Sequence, residues 1–137
     1  MKARISSVFF LSAVFFITIF LSAFKQAAKT PWVAPDKAEK MTNPVKSDAN
    51  SLKEGKELWI KHCQSCHGKA GLGDGSKAAQ LKTEPGDLSA AAFQKQSNGG
   101  LFYKISEGRS DMPSFKKKVE GDEDIWNLVN YIRTLKK

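Results

Sequence analysis

The chain has 137 residues, two cysteines and a formal net charge of +8. This length suits one compact domain, and two cysteines three positions apart, Cys63 and Cys66, exclude a framework of disulfides. The lysines are scattered, and the densest run, at 116 to 118, is followed by four acidic residues between 120 and 124. This pattern argues against nucleic-acid binding, which needs basic residues concentrated on one element.

Residues 1 to 24 are predicted to form a hydrophobic helix that is either a signal peptide or a membrane anchor. Two basic residues precede an apolar stretch from Val8 to Phe24 that is interrupted only by Ser and Thr. This arrangement is typical of a secretory signal, and with residues 5 to 7 it reaches the ~20 residues that span a bilayer. Cleavage after Ala23 and retention both stay open, and either way the rest of the chain is expected outside the cytoplasm.

Residues 25 to 50 are predicted to be a linker. They contain Pro31, Pro35 and Pro44 and show neither a helical nor a strand period. The domain itself is therefore expected to cover residues 51 to 137.

The first helix of the domain is predicted to start at Ser51 and to run to about Ser65. Ser51 followed by Glu54 is a capping-box pattern, in which two side chains satisfy free amides at the start of a helix. Gly55 inside this helix is unfavourable by about 1 kcal/mol relative to alanine. We therefore expect another helix to cross closely at Gly55.

Two further helices are predicted, and no strand. One covers residues 101 to 107 and ends at Gly108, since glycine is favoured just after a helix. The other begins with acidic residues at 122 to 124 and carries an apolar stripe at helical spacing: Ile125, Leu128, Val129, Ile132 and Leu135. No segment alternates apolar and polar residues long enough to predict a strand, so the expected fold class is all-α.

The most specific motif is Cys63-Gln64-Ser65-Cys66-His67. Cysteines at i and i+3 lie on nearly the same face of a helical turn, so both thiols can reach one edge of a haem. The spacing C-x-x-C-H is typical of c-type haem attachment, with the histidine as an iron ligand. We predict one covalent haem c, with thioether bonds to Cys63 and Cys66 and with His67 bound to the iron.

Two other uses of C-x-x-C fit less well. A thioredoxin-like dithiol needs a βαβ surround, which the sequence does not predict. A zinc site would have to take its ligands from Cys63, Cys66, His67 and His62, which are crowded into six residues and cannot join distant parts of a fold.

Met112 is the candidate for the sixth iron ligand. The other methionines are Met1, in the apolar segment, and Met41, in the predicted linker. Pro113 favours an extended backbone at Met112, which lets its thioether project from a loop. We expect His62 to be a surface residue, and the glycine-rich segment 71 to 75 to be a flexible turn rather than a phosphate-binding loop.

Over residues 51 to 137 the chain resembles the class I cytochromes c, in the bacterial single-haem branch related to cytochrome subunits of respiratory oxidases. The resemblance is carried by Gly55 with Trp59, Cys63 to Gly68, Gly71 to Gly75, Pro85-Gly86-Asp87-Leu88, Gly108 with Met112-Pro113, and the helix from Trp126 to Leu135.

This resemblance implies a cytochrome c fold around one haem, with the first and last helices crossing at Gly55 near Tyr131. It implies that Met112 is the distal ligand and that haem is attached outside the cytoplasm. It makes the carbonyl of Pro85 a candidate acceptor of a hydrogen bond from the ligating histidine. It also implies that the segment from Pro31 to Val45 lies against the domain, contrary to the linker prediction.

The predicted function is one-electron transfer between redox partner proteins, without catalysis and without a small-molecule substrate. The expected location is the periplasm, with membrane association if the N-terminal helix is retained. Two alternatives stay open: a fixed cytochrome subunit of a membrane oxidoreductase, and a haem enzyme or gas sensor with an open distal position.

Overall fold

The computed structural model describes residues 31 to 137, and the predicted signal or anchor at 1 to 24 lies outside the described residues. Within the described part the chain forms helices and no strand: α1 (Asp36–Glu39), α2 (Ala49–His62), α3 (Gln64–His67), a 3₁₀ helix (Ala78–Gln80), α4 (Ala91–Gln94), α5 (Asn98–Glu107) and α6 (Asp122–Thr134). None of these helices is long and apolar enough to cross a membrane. The all-α prediction is therefore confirmed.

Helices α2 and α6 cross at Gly55. A Cβ atom at this position would lie 2.2 Å from the backbone oxygen of Asn127 and 2.8 Å from Cβ of Tyr131. Any side chain here would force the two backbones apart, which explains a glycine in the middle of a helix. The expected crossing at Gly55 near Tyr131 is confirmed.

Helix α6 supplies the centre of the hydrophobic core. Ile125, Leu128, Val129 and Ile132 of the predicted stripe are at most 4% exposed. On the α5 side, Trp126 stacks on Phe102 with ring centroids 4.2 Å apart. The prediction of an apolar stripe on this helix is confirmed.

The start of α2 differs from the prediction. Asp48 is the N-cap, and its side chain accepts hydrogen bonds from the backbone nitrogens of Asn50 and Ser51. Ser51 lies inside the helix, is buried, and accepts a hydrogen bond from Nδ2 of Asn130 at 2.9 Å. The predicted capping box at Ser51 is wrong, because Ser51 is used for a tertiary contact with α6.

The segment from 33 to 50 packs on the helices instead of forming a free linker. Ala34 and Ala38 are buried, and Nδ2 of Asn43 donates to Oδ1 of Asn130 at 2.8 Å. A Cβ atom on Gly99 would lie 1.9 Å from the backbone oxygen of Ala38, so α1 and α5 are in direct backbone contact. The linker prediction therefore fails over residues 33 to 50, which belong to the same compact unit as the domain.

Helix α5 begins at Asn98 and ends at Glu107, with Gly108 at a φ of 70° as its C-cap. The predicted stop at Gly108 is confirmed, while the start is three residues earlier than expected. Arg133 near the end of α6 donates to the backbone oxygens of Gln94 and Gln96 and to Oδ1 of Asn98. This arginine joins the end of α6 to the loop that leads into α5.

Candidate functional site

The segment Cys63 to His67 forms its own helical turn. Helix α2 ends at His62, and Cys63 starts α3, with its backbone oxygen accepting from the nitrogens of Cys66 at 3.1 Å and His67 at 2.9 Å. Gly68, with a φ of 82°, ends the turn. This segment from Cys63 to His67, called the attachment turn below, follows directly from the long helix that crosses α6.

The loop after this turn folds back along it. The backbone nitrogens of Gly73, Gly75 and Lys77 donate to the backbone oxygens of His67, Cys66 and Ser65, respectively, at 2.9, 3.2 and 2.8 Å. A Cβ atom on Gly75 would lie 2.4 Å from the oxygen of Ser65. The glycines that were predicted to form a flexible turn therefore allow this loop to pack closely against the backbone of the attachment turn and to form hydrogen bonds with it.

Trp59 packs between the site and the helix crossing. It is 1% exposed, and its ring centroid lies 5.9 Å from those of both His67 and Tyr131. Nε1 of Trp59 and Nδ1 of His67 are buried and have no hydrogen-bond partner among the described residues. Unpaired buried nitrogens are uncommon in folded domains, and both of these lie next to the haem-attachment motif.

Burial controls the charge of the two residues that start and end the turn. It raises the pKa of the Cys63 thiol to about 12, with a smaller contribution from Cys66. It lowers the pKa of His67. Near neutral pH His67 is therefore uncharged, which is the form of imidazole that ligates a metal.

A raised thiol pKa is the opposite of what a redox-active dithiol requires, because the reactive species is the thiolate. Cys63 therefore does not resemble the attacking cysteine of a thioredoxin. Among residues 31 to 137, no three Cys, His, Asp or Glu side chains come together as a metal site would require. The geometry thus supports neither the dithiol nor the zinc alternative.

Met112 lies in a tight turn after α5. The backbone nitrogens of Arg109 and Met112 each donate to the other residue's oxygen, at 2.8 and 3.0 Å. Ser110 between them has a φ of 54°, and Gly108 packs so closely that its Cβ would lie 2.5 Å from the oxygen of Met112. The turn is then attached to α5 by the hydroxyl of Ser114, which donates to the oxygen of Ser106 at 2.6 Å.

The attachment turn and the Met112 turn meet the same hydrophobic cluster. Cys63 is part of this cluster together with Trp59 and Phe115, and Met112 is half-buried against it. A flat apolar cofactor attached at Cys63 would therefore border the same cluster against which Met112 packs. The residues present fit a covalently attached haem.

Two expectations about neighbouring residues do not agree with the structure. His62 is half-buried, with its ring edge-on to Phe115 at 5.9 Å and its Nε2 atom inaccessible, so the surface prediction is wrong. Its pKa is lowered, first by burial and then by Lys61 and Lys118. Since Nδ1 of His67 has no hydrogen-bond partner, the bond from this histidine to the carbonyl of Pro85 is not made.

The fold and the site together define a c-type cytochrome, and comparison with known proteins gives the family. The family model described as cytochrome c oxidase, cbb3-type, subunit III matches residues 50 to 132. The chain is 30% identical to cytochrome c6 of Cladophora glomerata over 90 residues, which are 62% of this chain and 89% of that protein. The chain therefore belongs to this cytochrome c family.

Two solved structures share the fold. The c-type cytochrome KustC0563 is 30% identical, with a TM-score of 0.53 over 61% of this chain and 98% of that one. A chain of the reducing HAO-like protein complex Kustc0457/Kustc0458 of Kuenenia stuttgartiensis is 24% identical, with a TM-score of 0.63 over 80% of this chain. The present chain spans about half (53%) of that component.

Membership of the family fixes the coarse function. The cofactor is a covalently bound c-type haem, and the activity is haem-based electron transfer. The predictions of a cytochrome c fold and of haem c are thereby confirmed.

Proposed function

We propose that this protein is a single-haem, one-electron carrier in which Cys63 and Cys66 form the thioether bonds and His67 and Met112 are the axial ligands. The observation that carries the proposal is the shared hydrophobic cluster, which contains Cys63 and against which Met112 packs. When bound, the haem supplies an iron that alternates between the ferrous and ferric states.

The protein's own residues keep the site dry and keep both ligands in place. Trp59 fills the space between His67 and α6, and the backbone bonds of the attachment turn restrict movement of His67. Because His67 is buried and uncharged near neutral pH, its ring is ready to ligate without first losing a proton. Histidine and methionine ligation raises the reduction potential, which suits a carrier.

The carrier is proposed to work outside the cytoplasm, between redox partner proteins. The support comes from the charged and apolar pattern of residues 1 to 24, which is typical of export. Retention of this segment would add membrane association, and its removal would release a freely diffusing protein. Mass spectrometry of the mature protein distinguishes the two, and the same mass reports the covalent haem.

Replacing Met112 by alanine tests the ligand assignment. The oxidised wild-type protein is expected to show the weak long-wavelength absorption band of methionine bound to ferric iron. Met112→Ala should lose this band and should have a lower reduction potential. Met41→Ala is the matched control, because Met41 is 39% exposed on the segment before α2, and it should leave both quantities unchanged.

The same experiment addresses an open distal position. A haem enzyme or gas sensor would lack the methionine band and would bind carbon monoxide readily in the reduced state. That combination in the wild-type protein would contradict the carrier proposal. A methionine band that is present in the wild type and in Met41→Ala but absent in Met112→Ala would support the carrier proposal.

A fixed subunit of an oxidoreductase complex is the second candidate function. It is favoured by the matched family, whose name is that of subunit III of a cbb3-type cytochrome c oxidase. Native gel electrophoresis of gently solubilised membranes with haem staining separates the two candidates. A subunit would migrate with a larger complex, while a free carrier would migrate at the size of one small cytochrome.

A further inference from the structure

A side-chain hydrogen bond joins the loop that contains Thr83 to the turn that carries Met112. The backbone nitrogen of Thr83 donates to Oδ2 of Asp111 at 2.9 Å, across 28 positions of the chain. Asp111 directly precedes Met112, and Thr83 lies in the loop that leads to Pro85 and Leu88.

The Thr83 loop is itself fixed to the His67 side of the site. The backbone nitrogen of Leu88 donates to the oxygen of Gly71 at 2.7 Å, and Leu88 is buried in the core cluster. Gly71 belongs to the loop that folds back along the attachment turn, where Gly73 bonds to the oxygen of His67. A bond to Thr83 is therefore a bond to the part of the molecule that carries His67.

Several other hydrogen bonds of the Met112 turn lie within the turn or attach it to α5. The pair between Arg109 and Met112 closes the turn on itself, and the bonds of Ser114 and Phe115 attach the following residues to α5. The carboxylate of Asp111 instead reaches from the Met112 side to the His67 side.

From this geometry we infer that Asp111 is a positioning residue for Met112: it ties the two loops together and so opposes displacement of Met112 from the iron. The inference rests on the proposed function, in which Met112 is an axial ligand. A displacement of Met112 in which its turn moves away from the His67 side breaks the bond between Asp111 and Thr83. The bond therefore stabilises the ligated state relative to the open state.

The size of the effect is limited by exposure. Asp111 and the amide of Thr83 are both at the surface, so water replaces part of the lost hydrogen bond. A net hydrogen bond of ordinary strength corresponds to a change of about two- to tenfold in the ratio of the two states. When the bond between Asp111 and Thr83 is removed, an external ligand that competes with Met112 should bind more tightly by the same factor.

Imidazole titration of the oxidised holoprotein measures this competition. Asp111→Ala should raise the affinity for imidazole by about two- to tenfold. Asp111→Asn keeps an acceptor oxygen and should remain close to wild type. The matched control is Glu123→Ala, which removes an exposed carboxylate from the first turn of α6 and should not change imidazole affinity.

Hydrogen exchange provides a readout that does not depend on the iron. The amide of Thr83 should be protected in the wild type and in Asp111→Asn, and it should exchange faster in Asp111→Ala. A wild-type protein without the methionine band would overturn the proposed function, and the inference with it. If the band is present and Thr83 loses protection in Asp111→Ala while imidazole affinity stays at the wild-type value, the inference alone is wrong.

Discussion

The crossing of α2 and α6 and the turn that carries Met112 are built by different means. At the crossing, two helices of 14 and 13 residues approach until backbone meets backbone, and the surrounding side chains are almost fully buried. The Met112 turn is short and largely exposed, and it is fixed by individual hydrogen bonds and by Gly108. The helix crossing and the Met112 turn therefore differ in how firmly the fold determines them.

This difference bears on how a carrier can vary its properties. Packing in a close core resists change, because a shift of one side chain displaces many neighbours. A turn held by separate hydrogen bonds can be altered one bond at a time. We expect changes at the crossing to affect the stability of the whole domain, and changes in the turn to affect Met112 first.

Gly55→Ala should have the largest effect on stability. Alanine is the better helix former, yet its Cβ would lie 2.2 Å from the backbone oxygen of Asn127. We expect a loss of about 3 kcal/mol in the free energy of unfolding, measured by urea denaturation of the holoprotein.

The control for this variant is Gly121→Ala, since a Cβ on Gly121 has no atom within 4 Å. It should change the free energy of unfolding by less than about 0.5 kcal/mol. A Gly55→Ala protein as stable as this control would show that the helices do not approach so closely.

Asn130→Ala should have the next largest effect. This buried amide donates to Oγ of Ser51 and to the backbone oxygen of Val45, and it accepts from Asn43. Its loss leaves several polar groups unpaired, and we expect a cost of about 2 kcal/mol by urea denaturation.

A double-mutant cycle with Asn43→Ala isolates the contact between α6 and the segment before α2. The coupling free energy should be about 1 kcal/mol. Additive effects of the two substitutions would mean that this segment is held by its other contacts alone.

Gly108→Ala tests how the close packing of Gly108 holds the Met112 turn. Its φ of 70° and ψ of 172° lie in a region that is essentially restricted to glycine, which disfavours alanine by about 1 to 3 kcal/mol. The added Cβ would also lie 2.5 Å from the oxygen of Met112. Gly86→Ala is the control for a positive φ, because Gly86 has a φ of 73° and no atom within 4 Å of its Cβ position.

We expect Gly108→Ala to be less stable than Gly86→Ala by about 1 kcal/mol. It should also weaken the methionine band, which Gly86→Ala should leave intact. Equal stability and equal spectra for both variants would remove the close contact between Gly108 and Met112 as the cause.

Asp87→Asn should have the smallest effect, which is present near neutral pH and disappears in acid. The side-chain hydrogen bond from Ser89 lowers the pKa of Asp87, with help from the Ser89 amide and Lys137. A lowered pKa in the folded state contributes stability above the unfolded value near 3.8. That contribution is lost as the pH falls through the lower folded pKa.

Urea midpoints at about pH 5 and about pH 3 measure this contribution, since they bracket the start of the loss. The difference between the two midpoints should be smaller for Asp87→Asn than for wild type. An equal difference for both proteins would exclude Asp87 from the acid response.

The sequence predicted the parts of the fold that depend on local spacing. The stripe on α6 and the stop at Gly108 each follow from residues within a few positions of one another. The glycine inside α2 predicts a close crossing at Gly55, but its partner near Tyr131 was implied only by the family resemblance. The start of α2 could not be predicted in this way, because Asp48 and Ser51 are both good caps. The choice depends on Asn130, which needs Ser51 from 79 positions away.

The linker prediction for residues 33 to 50 failed for a similar reason, although the family resemblance implied that the segment from Pro31 to Val45 lies against the domain. The prolines and the lack of a hydrophobic period are local properties of this segment. Its packing depends on a distant residue, because the missing side chain of Gly99 leaves room for the backbone oxygen of Ala38. At the site, the attachment motif and Met112 are visible in the sequence. The contacts of His62 with Phe115 and of Thr83 with Asp111 are not, because no pattern links residues that far apart.

The pairing of the first and last long helices also closes a long loop of the chain. Nδ2 of Asn127 donates to Oε2 of Glu54 across 73 positions, and Cys63, His67 and Met112 all lie between these two residues. Closing so long a loop costs chain entropy, which the packing of α2 on α6 offsets. Once formed, the pairing encloses the site residues in one loop, and separation of α2 from α6 would release them together.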